Sequence, residues 1–193
     1  MITRLFLIRH GPTHAKSMVG WSDLPADLSD TAALARLSDY LPAEALVVSS
    51  DLSRAVETAS ALQGSRTRLP HVQALREIHF GAWELRTWAE VDAEDPERIR
   101  AYWEAPGDVT PPGGESWNQV CSRVDTAIDA LITAHMGRDL IVVGHFGQIL
   151  TQLQRAHRLT AEEAFGHKID NLSVSEISLG PEGWQTGVIN HLP

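Results

Sequence analysis

Cysteine is nearly absent: Cys121 stands alone among 193 residues. A lone thiol closes no internal disulfide, and no Cys and His spacing reads as a zinc finger. Positive charge is also short. Lys and Arg number 16 against 25 Asp and Glu, a formal net charge of −9. A general nucleic-acid binder or a binder of anionic membranes needs a basic face, which this balance argues against. No apolar run approaches the ~18 residues of a membrane span. The first apolar stretch, Leu5-Phe6-Leu7-Ile8, meets Arg9 at once and has no small-residue cleavage site, so it does not read as a signal peptide. These absences leave a cytoplasmic enzyme or a cytoplasmic binding domain. Residues 1–193 are read as one domain, long enough to bury about 70% of its unfolded surface without a covalent staple.

What is present alternates between strands and helices. Leu5–Ile8, Ala45–Val48 and Leu140–Val143 are continuous apolar runs, as expected for strands covered on both faces. A helix is expected over Leu28–Leu41, capped by Ser29 or Asp30 and ended by Pro42. A second is expected through Leu62, capped by Asp51 and stopped by Gly64. Residues 66–78 read as irregular. A broad apolar stripe from Trp117 to Ile132 predicts a long amphipathic helix between Ser116 and Gly137. Another helix starts at about Gln148, and Leu172–Leu179 and Trp184–Ile189 read as closing strands. Strand–turn–helix repeated three times implies a three-layer α/β/α sandwich around a mainly parallel central sheet. Residues 80–115 differ in composition. Trp83, Trp88 and Trp103 fall within this stretch among several acidic residues, and its end is rich in Pro and Gly. This segment is expected to be a helical and loop insertion covering the site. Its aromatics either pack short helices onto the sheet or line an entrance.

In open α/β sheets, ligands sit outside the carboxyl ends of the strands. Three such ends read Arg9-His10-Gly11, Ser49-Ser50-Asp51 with Arg54 close behind, and Gly144-His145. Two histidines and two arginines therefore share one sheet edge. Guanidinium forks match phosphoryl oxygens, and an unprotonated imidazole can attack phosphorus. A metal pair of His10 and His14 is the competing chemistry, but Gly11 and Pro12 break the helical face that such spacing needs. No metal and no cofactor is expected.

The stretch Leu7-Ile8-Arg9-His10-Gly11-Pro12-Thr13 resembles the signature of the histidine phosphatase superfamily, in its phosphoglycerate-mutase-like branch. The resemblance continues through Ser49–Ala59, Leu75–Glu84, Pro112–Ser116 and Val142–His145, in family order. It implies that His10 becomes phosphorylated. It also implies that Arg9, Arg54 and His145 bind the phosphoryl oxygens, and that Glu77 serves as proton donor and then acceptor. Read without the resemblance, Glu77 is a surface carboxylate paired with Arg76 or another basic neighbour. Thr13, Lys16 and Phe146 are further candidates for contact with the substrate.

Several positions depart from the family pattern. Lys16 stands where an amide is frequent, Leu85 replaces the glycine of a common Trp-Glu-Gly, and Phe146 follows His145 where a small residue is usual. The expected activity is metal-independent hydrolysis of a small phosphomonoester, as in the alpha-ribazole phosphatase-like members. The alternatives are a cofactor-dependent mutase-type phosphotransferase, a phosphatase of phosphohistidine proteins, and a non-catalytic phospholigand binder on the same fold.

Overall fold

The computed structural model describes residues 1–193. Its strands are β1 (Thr3–Arg9), β2 (Leu46–Ser49), β3 (Thr67–Arg68), β4 (Asp139–Gly144), β5 (Val174–Gly180) and β6 (Gly183–Thr186). Its helices are α1 (Thr31–Tyr40), α2 (Ser53–Gln63), α3 (Trp88–Glu94), α4 (Pro96–Glu104), α5 (Trp117–Ala134), α6 (Phe146–His157) and α7 (Ala161–Phe165). One sheet runs in the order β3-β2-β4-β1-β5-β6. β1, β2, β3 and β4 pair in parallel, and β5 and β6 close the other edge antiparallel.

The apolar runs form strands because alternate side chains face two separate cores. Leu5, Leu7, Leu140 and Val142 join one core with Val120, Val124 and Ile128 of α5 and Ile149 and Leu153 of α6. Phe6, Ile8, Ile141 and Val143 join the other with Leu34 and Leu37 of α1 and Ala55, Ala59 and Leu62 of α2. Helices on both faces give the three expected layers, and burial on both faces explains why these strands carry no polar alternation.

Local starts and stops differ from expectation in informative ways. α1 begins at Thr31, not Leu28, because Asp30 accepts the Ala33 N–H at 3.0 Å. Asp51 does not cap α2; it is taken by a bidentate pair with Arg76, both contacts at 2.7 Å. The capping acceptor is Asp23, which takes the Ser53 N–H at 2.8 Å from a distant loop. α5 starts on a capping box between Ser116 and Gln119 and ends at Ala134, before the turn at Gly137. α6 starts two residues earlier than expected, with His145 itself as N-cap.

Residues 80–115 form α3 and α4 between loops. Trp83 and Tyr102 are buried and meet edge to face at 5.5 Å, and Trp103 packs on Phe165. These aromatics join the segment to the larger core and to α7, while Trp88 remains exposed.

Candidate active site

Three strand ends are held in register at the carboxyl edge. The His10 N–H donates to Gly144 at 3.0 Å, and the Ser50 N–H donates to Val143 at 3.2 Å. The backbone after β1 is tied to α2, because the Gly11 N–H donates to Thr58 Oγ1 and that hydroxyl donates to the Arg54 carbonyl. Asn171 donates to the His10 carbonyl at 2.8 Å from the far side. The segment Arg9–Gly11 is therefore fixed by backbone contacts before any ligand arrives.

His10 is buried, and its Nδ1 lies 2.6 Å from the Gly11 carbonyl. A carbonyl only accepts, so Nδ1 carries the proton and Nε2 keeps its lone pair. Burial pushes the imidazole down to about 3, with Arg54 and Arg9 adding to the effect. His10 is thus a neutral base at physiological pH with one free nucleophilic nitrogen. The His145 ring lies 5.2 Å away, centroid to centroid, and is fully buried. Burial also lowers its proton affinity, so it too is neutral. Its Nε2 sits 2.6 Å from Ser50 Oγ.

Arg54 is almost wholly buried, yet no carboxylate pairs with it. Its guanidinium donates to the Gly20 carbonyl at 2.6 Å and the Ser22 carbonyl at 2.8 Å. The loop bearing those carbonyls is held by Glu84, which accepts from the N–H groups of Gly20, Trp21 and Phe80 and from the Ser22 hydroxyl. Arg9 donates to the Ile169 carbonyl at 2.6 Å, and its guanidinium lies 5.6 Å from the Phe146 ring centre. Carbonyl and aromatic partners orient both cations without cancelling their charge.

Glu77 is buried and not paired with Arg76, so the reading as a surface ion pair fails. Its Oε1 accepts the Ile78 N–H at 3.0 Å and the Gly147 N–H at 2.9 Å. Burial raises its proton affinity above the ordinary carboxylate range, against the pull of those N–H groups and of Arg54 and Arg9. Its backbone is clamped as well. Trp21 Nε1 and Arg123 both donate to the Glu77 carbonyl, and Arg123 is itself held by Glu115 at 2.7 Å.

The structure therefore brings Arg9, His10, Arg54, Glu77 and His145 to one sheet edge. Phe146 lies beside Arg9 as its aromatic neighbour. Lys16 is exposed and makes no ion pair, and the only hydrogen bond to the Thr13 hydroxyl is a long one from Ala15, at 3.5 Å. His14 turns away onto Asp27 at 2.7 Å, with its backbone in the left-handed region, so it forms no pair with His10. No group of three His, Cys, Asp or Glu side chains is arranged to hold a metal ion.

Ser50, Trp21, Glu84 and Arg123 support the site and were not assigned roles from sequence. Only Ser50 and Glu84 lie in segments whose motif could have flagged them. Imidazoles of lowered proton affinity, one buried and one half-buried guanidinium group, and a carboxyl of raised proton affinity gathered at one sheet edge suit the capture and transfer of a phosphoryl group.

Comparison with known proteins agrees with that chemistry. The family model described as "Histidine phosphatase superfamily (branch 1)" matches residues 5–191. A bifunctional protein of Mycobacterium tuberculosis is 36% identical over 80% of this chain, which spans 44% of that relative's length. A metal-independent phosphoserine phosphatase of Arabidopsis thaliana is 31% identical, covering 95% of this chain and 79% of its own. Among solved structures, Bacillus stearothermophilus YhfR superposes with a TM-score of 0.90 at 28% identity, over 99% of this chain and 98% of that one.

Proposed function

The chain belongs to the histidine phosphatase superfamily, and from that membership we propose that it is a metal-independent phosphomonoesterase acting on a small phosphorylated metabolite. The observation that carries the proposal is the coexistence of two buried histidines, whose proton affinity burial lowers, with a buried Glu77, whose proton affinity burial raises. A domain that only bound phosphate would need the cations but not a nucleophile and an acid together.

In the first step, His10 Nε2 attacks phosphorus as the bond from phosphorus to the leaving oxygen breaks. Glu77 gives its proton to that oxygen. Arg9, Arg54 and His145 hold the non-bridging oxygens and stabilise their charge. In the second step, a water gives its proton to the Glu77 carboxylate and its oxygen attacks the phosphohistidine. The bond from nitrogen to phosphorus breaks, and inorganic phosphate leaves. Two guanidinium groups supply the positive charge that metal ions supply in other phosphatases.

Residues 1–193 act as one histidine phosphatase domain, with about 80–115 lying over the site. Lys16 and Thr13, on the loop that leaves β1, contact the substrate, the Lys16 ammonium reaching the phosphoryl group or a second anionic group on it, and Phe146 borders the phosphoryl site. The partner is the small-molecule substrate, with no nucleic acid and no membrane. A net charge of −9 and the lack of any helix long and apolar enough to cross a membrane support that reading. The reaction is assigned to the cytoplasm.

Rapid alkaline quenching during turnover of an aryl phosphate, followed by peptide mapping, tests the mechanism. An acid-labile, alkali-stable phosphate is expected on His10, in the presence or absence of a strong chelator. His10→Ala is expected to lose activity by on the order of 10⁴ or more. A folded variant that keeps several per cent of the rate, or activity that depends on added Mg²⁺ or Zn²⁺, would sink the proposal.

A further inference from the structure

Ser50 and His145 meet inside the protein, both fully excluded from solvent, with Oγ and Nε2 2.6 Å apart. Neither can drift. The Ser50 N–H is bonded to Val143 of β4, and His145 is the residue on which α6 begins. The other ring nitrogen, His145 Nδ1, is buried and has no hydrogen-bond partner in the protein. Its surroundings are the His10 ring and the cationic Arg9 and Arg54.

A neutral imidazole carries one N–H, and the hydrogen bond at one nitrogen decides where that proton sits. A serine hydroxyl can donate or accept, so two arrangements are available. In the first, Nε2–H donates to Ser50. The hydroxyl proton then needs another acceptor, and Ser50 Oγ has no hydrogen-bond partner other than His145. Nδ1 is left with a bare lone pair, which repels a phosphoryl oxygen. In the second, the hydroxyl donates to the Nε2 lone pair. The imidazole proton moves to Nδ1, and only that one N–H is left unpartnered, ready for an incoming acceptor. Buried polar groups are rarely left without partners, so the second arrangement is favoured twice over: by the serine and by the ligand.

Resting on the phosphomonoesterase reading, we infer that Ser50 is a positioning residue. It donates its hydroxyl to His145 Nε2 and thereby fixes the Nδ1–H tautomer that donates to a phosphoryl oxygen. The partner of Nδ1 is the transferring group, and the function of Ser50 is to keep His145 a donor to it. His10 is set the same way up by a different device, since the Gly11 carbonyl holds its Nδ1–H and leaves Nε2 bare. One imidazole is tuned as nucleophile and the other as hydrogen-bond donor, each by a single short contact.

Long-range ¹H–¹⁵N correlation on the ¹⁵N-histidine-labelled full chain reads the tautomer directly, with His145 assigned by its loss in His145→Gln. The expected signature at neutral pH is a protonated Nδ1 and an unprotonated Nε2. The opposite pattern would overturn the inference. In Ser50→Ala the same signals are expected to shift toward a mixture of tautomers, and affinity for vanadate to fall about tenfold or more, as for a lost bond to a charged group. The fall in kcat should exceed the rise in KM, and the backbone amide spectrum should be preserved. Unchanged tautomer and vanadate affinity in a folded Ser50→Ala would also overturn it. Should that variant not fold, the wild-type spectrum alone decides. The tautomer is measured without turnover, so failure of the phosphatase assay and failure of this inference are separate results.

Discussion

Glu77 and Gly147 are fitted to each other at contact distance. Glu77 Oε1 accepts the Gly147 N–H at 2.9 Å, and a Cβ built at position 147 would lie 2.5 Å from that same oxygen. The acid is aligned by a backbone amide of α6 that can approach only because no side chain intervenes. Glycine here serves close packing, not an unusual backbone angle.

Gly147→Ala should therefore displace the Glu77 carboxyl rather than break the fold. Overpacking of this kind costs roughly 1–3 kcal/mol. The expected result is a fall in kcat of about tenfold or more with a smaller change in KM. Steady-state kinetics and a denaturation curve on the same preparation check it. A stability loss with unchanged kcat would show that Glu77 does not depend on this contact.

Glu77→Gln keeps the shape but removes the transferable proton. Loss of a general acid typically costs about 10²–10⁴ in rate. The deficit should be large for an alkyl phosphate, whose leaving oxygen needs the proton, and small in the first step for a nitrophenyl phosphate, which leaves without it. Burst kinetics on both substrates make the comparison. Equal losses on the two would remove Glu77 from the leaving-group step.

Acid should destabilise the fold through its neutral histidines. The unfolded chain takes up a proton at each histidine near the ordinary value of about 6.5, whereas folded His10 does so only near 3. Between those values the unfolded state binds more protons, so stability falls as pH falls. The slope is up to about 1.4 kcal/mol per pH unit for each such histidine. His145 acts in the same direction. Urea unfolding at several pH values from 7 down to 4 should show the decline, and His10→Gln should make it shallower. An identical slope in that variant would mean His10 is not held neutral.

Leu85 adopts φ 62°, in the left-handed region, with its side chain about half exposed. The backbone keeps a glycine-like turn although leucine occupies it, and that conformation costs an ordinary residue roughly 1–2 kcal/mol. Leu85→Gly relieves the strain and gives back part of the gain through the freer unfolded chain. The expected urea midpoint is equal to or slightly above wild type. Leu85→Val, β-branched at the same angles, should be lower by about 1 kcal/mol or more. A midpoint for Leu85→Gly clearly below wild type would show that the leucine side chain contributes packing.

The parts of the molecule that were legible in the sequence are those set by nearest neighbours. Leu5–Ile8, Ala45–Val48 and Leu140–Val143 announce buried strands by composition, and the polar residues after them mark the sheet edge where Arg9, His10, Arg54 and His145 meet. Glu77 was legible only through family likeness, because its depth depends on α5 and α6 closing over it. The role of Asp51 was misread for a related reason. The residue that caps α2 is Asp23, thirty positions upstream, and no local pattern reveals a cap supplied from another loop. Trp21 and Arg123 act on Glu77 through its backbone carbonyl rather than its carboxyl, so no motif registers them.

The unpaired guanidinium of Arg54 has a consequence for encounter rates. A chain of net charge −9 repels anions at long range, yet the carboxyl edge of the sheet holds Arg54 and Arg9 uncancelled by any touching carboxylate. The charge held at that sheet edge is thus opposite in sign to the net charge of the chain. Moderate salt screens the outer repulsion over about a Debye length, roughly 8–10 Å, but screens the buried Arg54 and the half-buried Arg9 much less. A phosphorylated substrate should then arrive faster as ionic strength rises from very low values, the reverse of the electrostatic steering seen when a whole surface attracts its ligand.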